Sequence, residues 1–112
     1  MEKRIISKQV KLSEQFYESA EQVYDFGLET FGYFQAERYK QEIRQSLETL
    51  SDFYMVYPEC RHLATQSRKY RNIILDAHLI IYRITDYRIE VLDILHSASN
   101  IGKIRGTRKI HL

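Results

Sequence analysis

The chain has 112 residues, enough for one hydrophobic core but not for two, since halves of roughly 55 residues have marginal cores. Apolar residues make up 44% and charged residues 29%, with a net charge of +2, and this balance excludes disorder as the overall state. The lone Cys60 has no partner for an internal disulfide and no apolar run suits a signal peptide or a membrane span, so we expect a cytoplasmic protein without a membrane partner.

The N-terminal part is predicted to be a strand followed by a helix. Within residues 1–12, the segment from Arg4 to Leu12 alternates loosely between apolar and polar side chains, which predicts a strand. Ser13 suits a helix N-cap, because its hydroxyl can accept a hydrogen bond from an unpaired N–H of the first turn. Gly32 is expected to end this helix in the left-handed conformation. The apolar stripe, at steps of three and four, comprises Phe16, Ala20, Val23, Tyr24, Gly27, Leu28 and Phe31.

A second amphipathic helix follows almost at once and is expected to end at Pro58, which lacks a backbone N–H. Two amphipathic helices joined by so short a connection must run antiparallel, so residues 13–57 are predicted to form a helical hairpin with an acidic outer face. The apolar stripe of the second helix comprises Ala36, Tyr39, Ile43, Leu47, Leu50 and Tyr54.

The C-terminal half changes to β-branched residues with a period of two, which predicts an antiparallel meander over residues 68–96. Its three strands are Arg68–Leu75, His78–Ile84 and Arg88–His96. The tail, residues 97–112, has four basic side chains and no acid, and we expect a flexible arm or a strand-like extension. The chain is thus predicted to be one α+β domain, residues 1–112, with two layers and the order β-α-α-β-β-β.

The small net charge conceals a strong segregation along the sequence. Residues 1–13 have four basic side chains and one acidic side chain. Residues 14–52 have three basic and nine acidic side chains, and residues 53–112 have ten basic and five acidic side chains. Such asymmetry concerns binding partners rather than the fold. We therefore expect the basic sheet and tail to meet an anionic or acidic partner.

Motifs for familiar enzyme chemistry are absent from the sequence. It has no glycine-rich phosphate loop, nucleophile elbow or metal-ligand spacing, so we expect neither a cofactor nor a metal. Cys60 stands beside Arg61 and His62, but a lone thiol in that setting is far more often incidental than catalytic.

Arginine and tyrosine residues are interleaved along the predicted sheet and support two interpretations. They could contact phosphates and stack on bases, or they could be the solvated, aggregation-resistant ends of strands. The group comprises Arg68, Lys69, Tyr70, Arg71, Tyr82, Arg83 and Arg88. His96, at the end of the last predicted strand, could act as a general acid or base or could close the sheet onto the tail.

Several segments between about residues 10 and 100 resemble the ParE-type toxins of the RelE/ParE superfamily. Residues 31–39, FGYFQAERY, are similar to the Phe/Trp-Gly-x-x-Gln-Ala-x-x-Tyr pattern at the helix–helix junction of these toxins. Leu50 and Pro58 resemble the pattern that ends their second helix, although the spacing here is longer. Residues 71–83 resemble their Arg…His/Tyr-x-Ile-x-Tyr-Arg hairpin, and residues 89–96 resemble their closing strand.

The resemblance implies the toxin of a type II toxin–antitoxin module, of the kind linked to plasmid stabilisation and growth arrest. Such a toxin inhibits DNA gyrase by binding, and a cognate ParD-like antitoxin neutralises it in a hetero-oligomer. The candidate target-binding residues are Arg68, Arg71, Arg83, Lys103, Arg105, Arg108 and Lys109. The antitoxin is expected to place an amphipathic helix in a groove beside the hairpin. The groove candidates are Tyr17, Tyr24, Tyr33, Phe34 and Tyr54, unless all five belong to the core.

Two alternatives stay open. A RelE-like, ribosome-dependent mRNA endoribonuclease would use His96, Tyr82 and Arg71. The positions where such nucleases have basic residues hold Leu75, Asp76, Ser97 and Ala98 in this sequence. A degenerate member of the family would have no remaining toxicity.

Overall fold

The computed structural model describes residues 6–112, in which four strands and two helices follow the predicted order and a third helix lies in the tail. These elements are β1 (Gln9–Leu12), α1 (Glu14–Phe31), α2 (Tyr33–Phe53), β2 (Tyr70–Ile74), β3 (His78–Ile84), β4 (Arg88–His96) and α3 (Ile101–Gly106). Two short 3₁₀ turns lie at Arg61–Leu63 and Thr107–Lys109. The predicted α+β class and the order β-α-α-β-β-β are confirmed.

The four strands form one mixed sheet in the order β1-β4-β3-β2. β1 runs parallel to β4, whereas β2, β3 and β4 form the predicted antiparallel meander. Every residue of β4 from Ile89 to Leu95 is buried, because β4 has a strand on each side and packed side chains above and below. β4 is therefore the centre of the fold.

The boundaries of two strands differ from the sequence prediction, and one of these strands, β2, ends at Ile74 rather than at Leu75. β3 and β4 have the predicted ends, but β2 begins at Tyr70 because Arg68 has a φ of +55°, a turn conformation that an extended strand does not contain. In the first predicted strand, the ladder with β4 is limited to Gln9–Leu12. Arg4, where that strand was predicted to begin, lies outside the described residues.

Ser13 joins β1, α1 and β4 at one point. Its hydroxyl accepts a hydrogen bond from the N–H of Phe16 at 2.9 Å, as expected for an N-cap, and donates one to the carbonyl of Leu92 at 2.6 Å. Its own N–H donates to the carbonyl of Val91 at 3.0 Å. Leu92 is the extra residue of a β-bulge, since Ile81 pairs with Asp93 and the next residue of β3 pairs with Val91. The cap of α1 therefore also satisfies a carbonyl that the bulge leaves free.

α1 and α2 form the predicted helical hairpin, with Gly32 as the one residue between them. Gly32 ends α1 as predicted and has a positive φ of +91°, which favours glycine, but its ψ of 174° is not that of the left-handed helical conformation that we expected. Its N–H donates to the carbonyl of Leu28 at 3.1 Å. α2 ends at Phe53, five residues before Pro58, so the predicted end of that helix is late. Within residues 6–112, no helix has both the length and the apolar character needed to cross a membrane.

The two faces of the sheet have separate cores. On one face the hairpin packs against the strands, and this core comprises Phe16, Leu50, Tyr54, Ile73, Ile80, Tyr82, Ile89, Val91 and Ile94. On the other face the core comprises Cys60, Leu63, Tyr70, Ile81, Leu92, Leu95 and Ile104. The segment after α2 and the tail thus add a partial third layer to the two that were predicted.

The tail is neither the flexible arm nor the strand-like extension that we expected. It forms α3 and a 3₁₀ turn, with the side chain of Asn100 accepting a hydrogen bond from the N–H of Lys103 at 2.8 Å as a cap. Ile104 and Thr107 are buried against the second face of the sheet. That face is apolar and must be covered, and the tail residues that cover it are too few to show a helical period in the sequence.

Replacing Ser13 by Ala tests the junction of β1, α1 and β4. The variant loses the N-cap and leaves the buried carbonyl of Leu92 without a partner, so we expect it to lower the free energy of unfolding by about 2–4 kcal/mol in urea denaturation. Asn100→Ala removes an exposed cap from a six-residue helix and serves as the control, with an expected loss of about 0.5–1 kcal/mol. Equal losses in the two variants would contradict the role assigned to Ser13.

Candidate functional site

Arg71 and Tyr82, two of the three candidate nuclease residues, are part of the internal structure. Arg71 is 8% exposed, and its guanidinium donates to the carbonyls of Arg68, Met55 and Tyr57, each at 3.0 Å. It therefore ties β2 to the segment after α2, and it is not the surface target contact that we expected. Tyr82 is fully buried, which raises the pKa of its phenol.

The three nuclease candidates do not converge. Tyr82 lies beside Arg71 across the β2–β3 ladder, but His96 pairs with His78, four residues earlier on β3. At about 3.3 Å per residue this separation is roughly 13 Å, too far for one substrate phosphate to contact all three side chains. His96, Tyr82 and Arg71, which only the nuclease alternative would use, are therefore not brought together at one place.

Arg83 holds the tail instead of facing a partner. Its guanidinium forms an ion pair with Glu90 at 2.8 Å and donates to the carbonyls of Arg108 at 3.4 Å and Ile110 at 3.1 Å. Burial raises the pKa of Glu90, but the hydrogen bonds and charges of Arg83 and Arg88 outweigh burial, and the net effect is a lowered pKa. The expectation that Arg83 contacts the target is not supported by this geometry.

The other five target-binding candidates are exposed. Arg68 lies 3.9 Å from Glu59, whereas the tail residues are held on the second face of the sheet, where α3 contacts the Arg61–Leu63 turn. Lys69 also belongs there, because its ammonium lies 5.5 Å from the ring of the buried Tyr70. We define the basic face as the exposed cations of this region, Arg61, Lys69, Lys103, Arg105, Arg108 and Lys109.

The Gly32 end of the hairpin projects past the end of the sheet, where the strands and their turn contribute Asp76, Ala77, His78 and His96, and part of its apolar stripe is left uncovered. α2 has 21 residues and is about 31 Å long, and the longest dimension of the molecule is 49 Å. A groove of about 760 Å³ opens between the overhanging helices and the end of the sheet. The apolar and aromatic residues that line it are Ala20, Val23, Tyr24, Phe26, Phe31, Ala36, Tyr39 and Ile43.

The aromatic residues predicted for the groove are divided by the structure. Tyr24 lines the groove, but Tyr54 is in the core, where its hydroxyl donates to the carbonyl of Ile6 at 2.6 Å, so its assignment to the groove is wrong. Tyr17, Tyr33 and Phe34 are exposed on the hairpin but are not among the residues that line the groove. The groove is built mainly by the apolar helix stripes.

Two histidines and a tyrosine, which we did not predict as a group, close one end of the groove. The hydroxyl of Tyr39 lies 2.7 Å from Nδ1 of His78 and accepts a hydrogen bond from the N–H of Ala77 at 3.3 Å. The rings of His78 and His96 are 5.4 Å apart, and the N–H of Ala98 donates to Nδ1 of His96 at 3.0 Å. Burial and, to a smaller extent, His96 lower the pKa of His78.

Within residues 6–112, His, Cys, Asp and Glu side chains form no group of three or more that could hold a metal ion. Cys60 is buried, and burial raises the pKa of its thiol, which makes it a poor nucleophile.

Two comparisons with known proteins found a match, and both agree with this fold. Residues 10–101 match the family model described as the ParE toxin of the type II toxin–antitoxin system parDE, which confirms the resemblance to ParE-type toxins. A chain of the chromosomal ParDE toxin–antitoxin system from P. aeruginosa is similar in structure, with a TM-score of 0.66 and 15% identity. The similarity covers 82% of this chain and 98% of that chain, and it shows the shared fold. No curated protein matched in sequence.

The lowered pKa of His78 predicts a pH dependence of stability. Its pKa in the folded state lies below the ordinary value of 6.5, so the folded state binds this proton less readily than the unfolded state does. We expect the wild type to lose stability relative to His78→Gln when the pH falls from 7.5 to 5.5, as measured by the urea midpoint. His111→Gln, in the exposed end of the tail, is the control. A pH-independent difference between wild type and His78→Gln would contradict the prediction.

Proposed function

The chain belongs to the ParE toxin family of type II toxin–antitoxin systems, and we propose that it inhibits DNA gyrase by binding and is neutralised by a cognate antitoxin in the groove. The observation that carries the proposal is the uncovered apolar stripe of the hairpin in a chain that matches this family over residues 10–101. The structurally similar chain from P. aeruginosa comes from a ParDE toxin–antitoxin system, which supports an antitoxin as the partner. Gyrase as the target would place the protein in the cytoplasm.

The groove has the properties of a site for one amphipathic helix. A helix with its side chains is about 10–12 Å across, and the apolar lining would receive residues at positions i, i+3 or i+4, and i+7. The rim is charged in both senses, with Arg38 and Lys40 on one helix turn and Glu21 and Glu42 nearby. An antitoxin helix with one apolar stripe and mixed charges along its edges fits this arrangement.

Phe26 and Phe34 form a matched pair for testing the groove. Both are exposed hairpin residues, 62% and 84% respectively, but Phe26 lines the groove and Phe34 does not. Phe26→Asp places a charge in the apolar lining, so we expect at least a 100-fold loss of affinity for the antitoxin in calorimetric titration. Phe34→Asp should change the affinity by less than threefold. Comparable losses in both variants would argue against the groove as the antitoxin site.

Binding without chemistry is the mechanism best supported for the toxic activity. The candidate catalytic residues Arg71 and Tyr82 are buried and have structural roles. His96, on β4, lies opposite His78 at the other end of β3. The basic face, in contrast, is exposed, and it could act on gyrase by binding alone, without a chemical step. The proposed inhibitor would therefore act stoichiometrically, by holding the enzyme on its DNA.

A supercoiling assay with purified gyrase tests the proposed target. We expect the chain to inhibit supercoiling and to increase cleaved DNA at near-stoichiometric amounts, and the antitoxin complex, as control, to have no effect. Unchanged supercoiling at large molar excess would exclude gyrase as the target. Codon-phased mRNA cuts after induction would then identify the ribonuclease alternative, and normal growth after induction would identify a degenerate member.

A further inference from the structure

The cations of the tail are displayed on a fixed surface. α3 is anchored by the buried side chain of Ile104, and the hydroxyl of Thr107 donates to the carbonyl of Ile104 at 2.7 Å. The guanidinium of Arg83 bonds the carbonyls of Arg108 and Ile110 and so ties the 3₁₀ turn to β3. Cations on such a surface bind an anionic partner without the loss of conformational entropy that the ordering of a flexible arm would cost.

The acids near the basic face offset only part of its charge, through the attraction between the buried carboxylate of Asp93 and Lys103. Glu90 is buried and paired with both Arg83 and Arg88, and Asp93 is also buried. Glu59 is half-buried and lies 3.9 Å from Arg68. The exposed acids are concentrated instead in the hairpin, where residues 14–52 have nine acids against three basic residues.

The chemistry of the basic face favours nucleic acid over protein as the partner. Of the apolar residues of the tail, Ile104 is buried, and Ile110 and Leu112 are packed on the second core. Ile101 is 46% exposed, but a single isoleucine does not make the cluster of buried apolar side chains on which protein interfaces depend. The ring of Tyr70 beneath the face is buried and cannot stack on an unpaired base. What remains is a set of Arg and Lys donors suited to backbone phosphates.

We propose that the basic face binds the phosphodiester backbone of duplex DNA directly and without reading its sequence. The face includes residues proposed above to contact gyrase, but this inference does not require gyrase inhibition, because it concerns DNA in the absence of the enzyme. Backbone binding of this kind has dissociation constants of about 10⁻⁴–10⁻⁶ M, and the logarithm of affinity falls by about 0.9 per phosphate contact for each tenfold rise in salt.

Fluorescence anisotropy of a labelled duplex tests the inference with the purified full chain, free of antitoxin. The variant R105Q/R108Q/K109Q removes three cations from the basic face and leaves the backbone contacts of Arg83 in place. R38Q/K40Q/R44Q removes the same charge from the exposed surface of α2 and is the matched control. We expect the wild type to bind the duplex with a micromolar dissociation constant. The first variant should lose affinity at least tenfold, and its slope of log affinity against log salt should be smaller by about 2–3. The affinity of the control should change by less than threefold.

Duplex RNA and single-stranded DNA serve as comparison ligands, since all three share the phosphodiester backbone. Any of three results would overturn the inference. The duplex could remain unbound at 100 µM chain, the two triple variants could lose affinity equally, or the chain could bind the single strand more tightly than the duplex. Circular dichroism melting shows that each variant is folded. Gyrase inhibition by a chain that does not bind DNA would overturn this inference alone, and DNA binding without gyrase inhibition would overturn the proposed function alone.

Discussion

The hydroxyl of Ser13 is the contact on which the placement of the hairpin depends. One oxygen caps α1 and satisfies the carbonyl of Leu92, which the β-bulge of β4 leaves without a partner. It thereby fixes the start of α1 relative to the central strand. Because only Gly32 separates α1 from α2, the position of α2 follows from that of α1. The contact at Ser13 therefore places the whole hairpin. The overhang of the hairpin, and hence the groove, follows from that position, because it places the Gly32 end of both helices beyond the end of the sheet.

The candidate site was harder to predict from the sequence than the fold, because residue type alone does not indicate burial. Arg71 was expected at the surface, but three carbonyls from the segment after α2 and from the turn before β2 satisfy its guanidinium inside the molecule. Tyr54 continues the apolar stripe of α2, and no periodicity distinguishes a groove position from a core position. The pairing of His78 with His96 could not be predicted from the strand ends either, because it depends on the register in which Ile84 pairs with Ile89 and on the bulge in β4.

The fold could be predicted where an element is long enough for its pattern of apolar residues to be recognised. β3 and β4 have the predicted ends because both are rich in apolar and β-branched residues and are bounded by short polar connections, and Gly32 marks the junction of two long helices. The parallel pairing of β1 with β4 was not predicted, because four residues specify a strand but not its neighbour. α3 was missed for a similar reason. Six residues contain fewer than two turns, and its cover of the second face depends on apolar residues far away in sequence.

The separation of the two exposed features constrains how an antitoxin could neutralise this toxin. The groove lies on the hairpin side of the sheet, whereas the basic face is built on the opposite side around Ile104. A helix confined to the groove would therefore leave the basic cations exposed. Neutralisation by direct cover requires the antitoxin chain to continue past the groove and around an edge of the sheet, and acidic residues in that continuation would match the charge they meet.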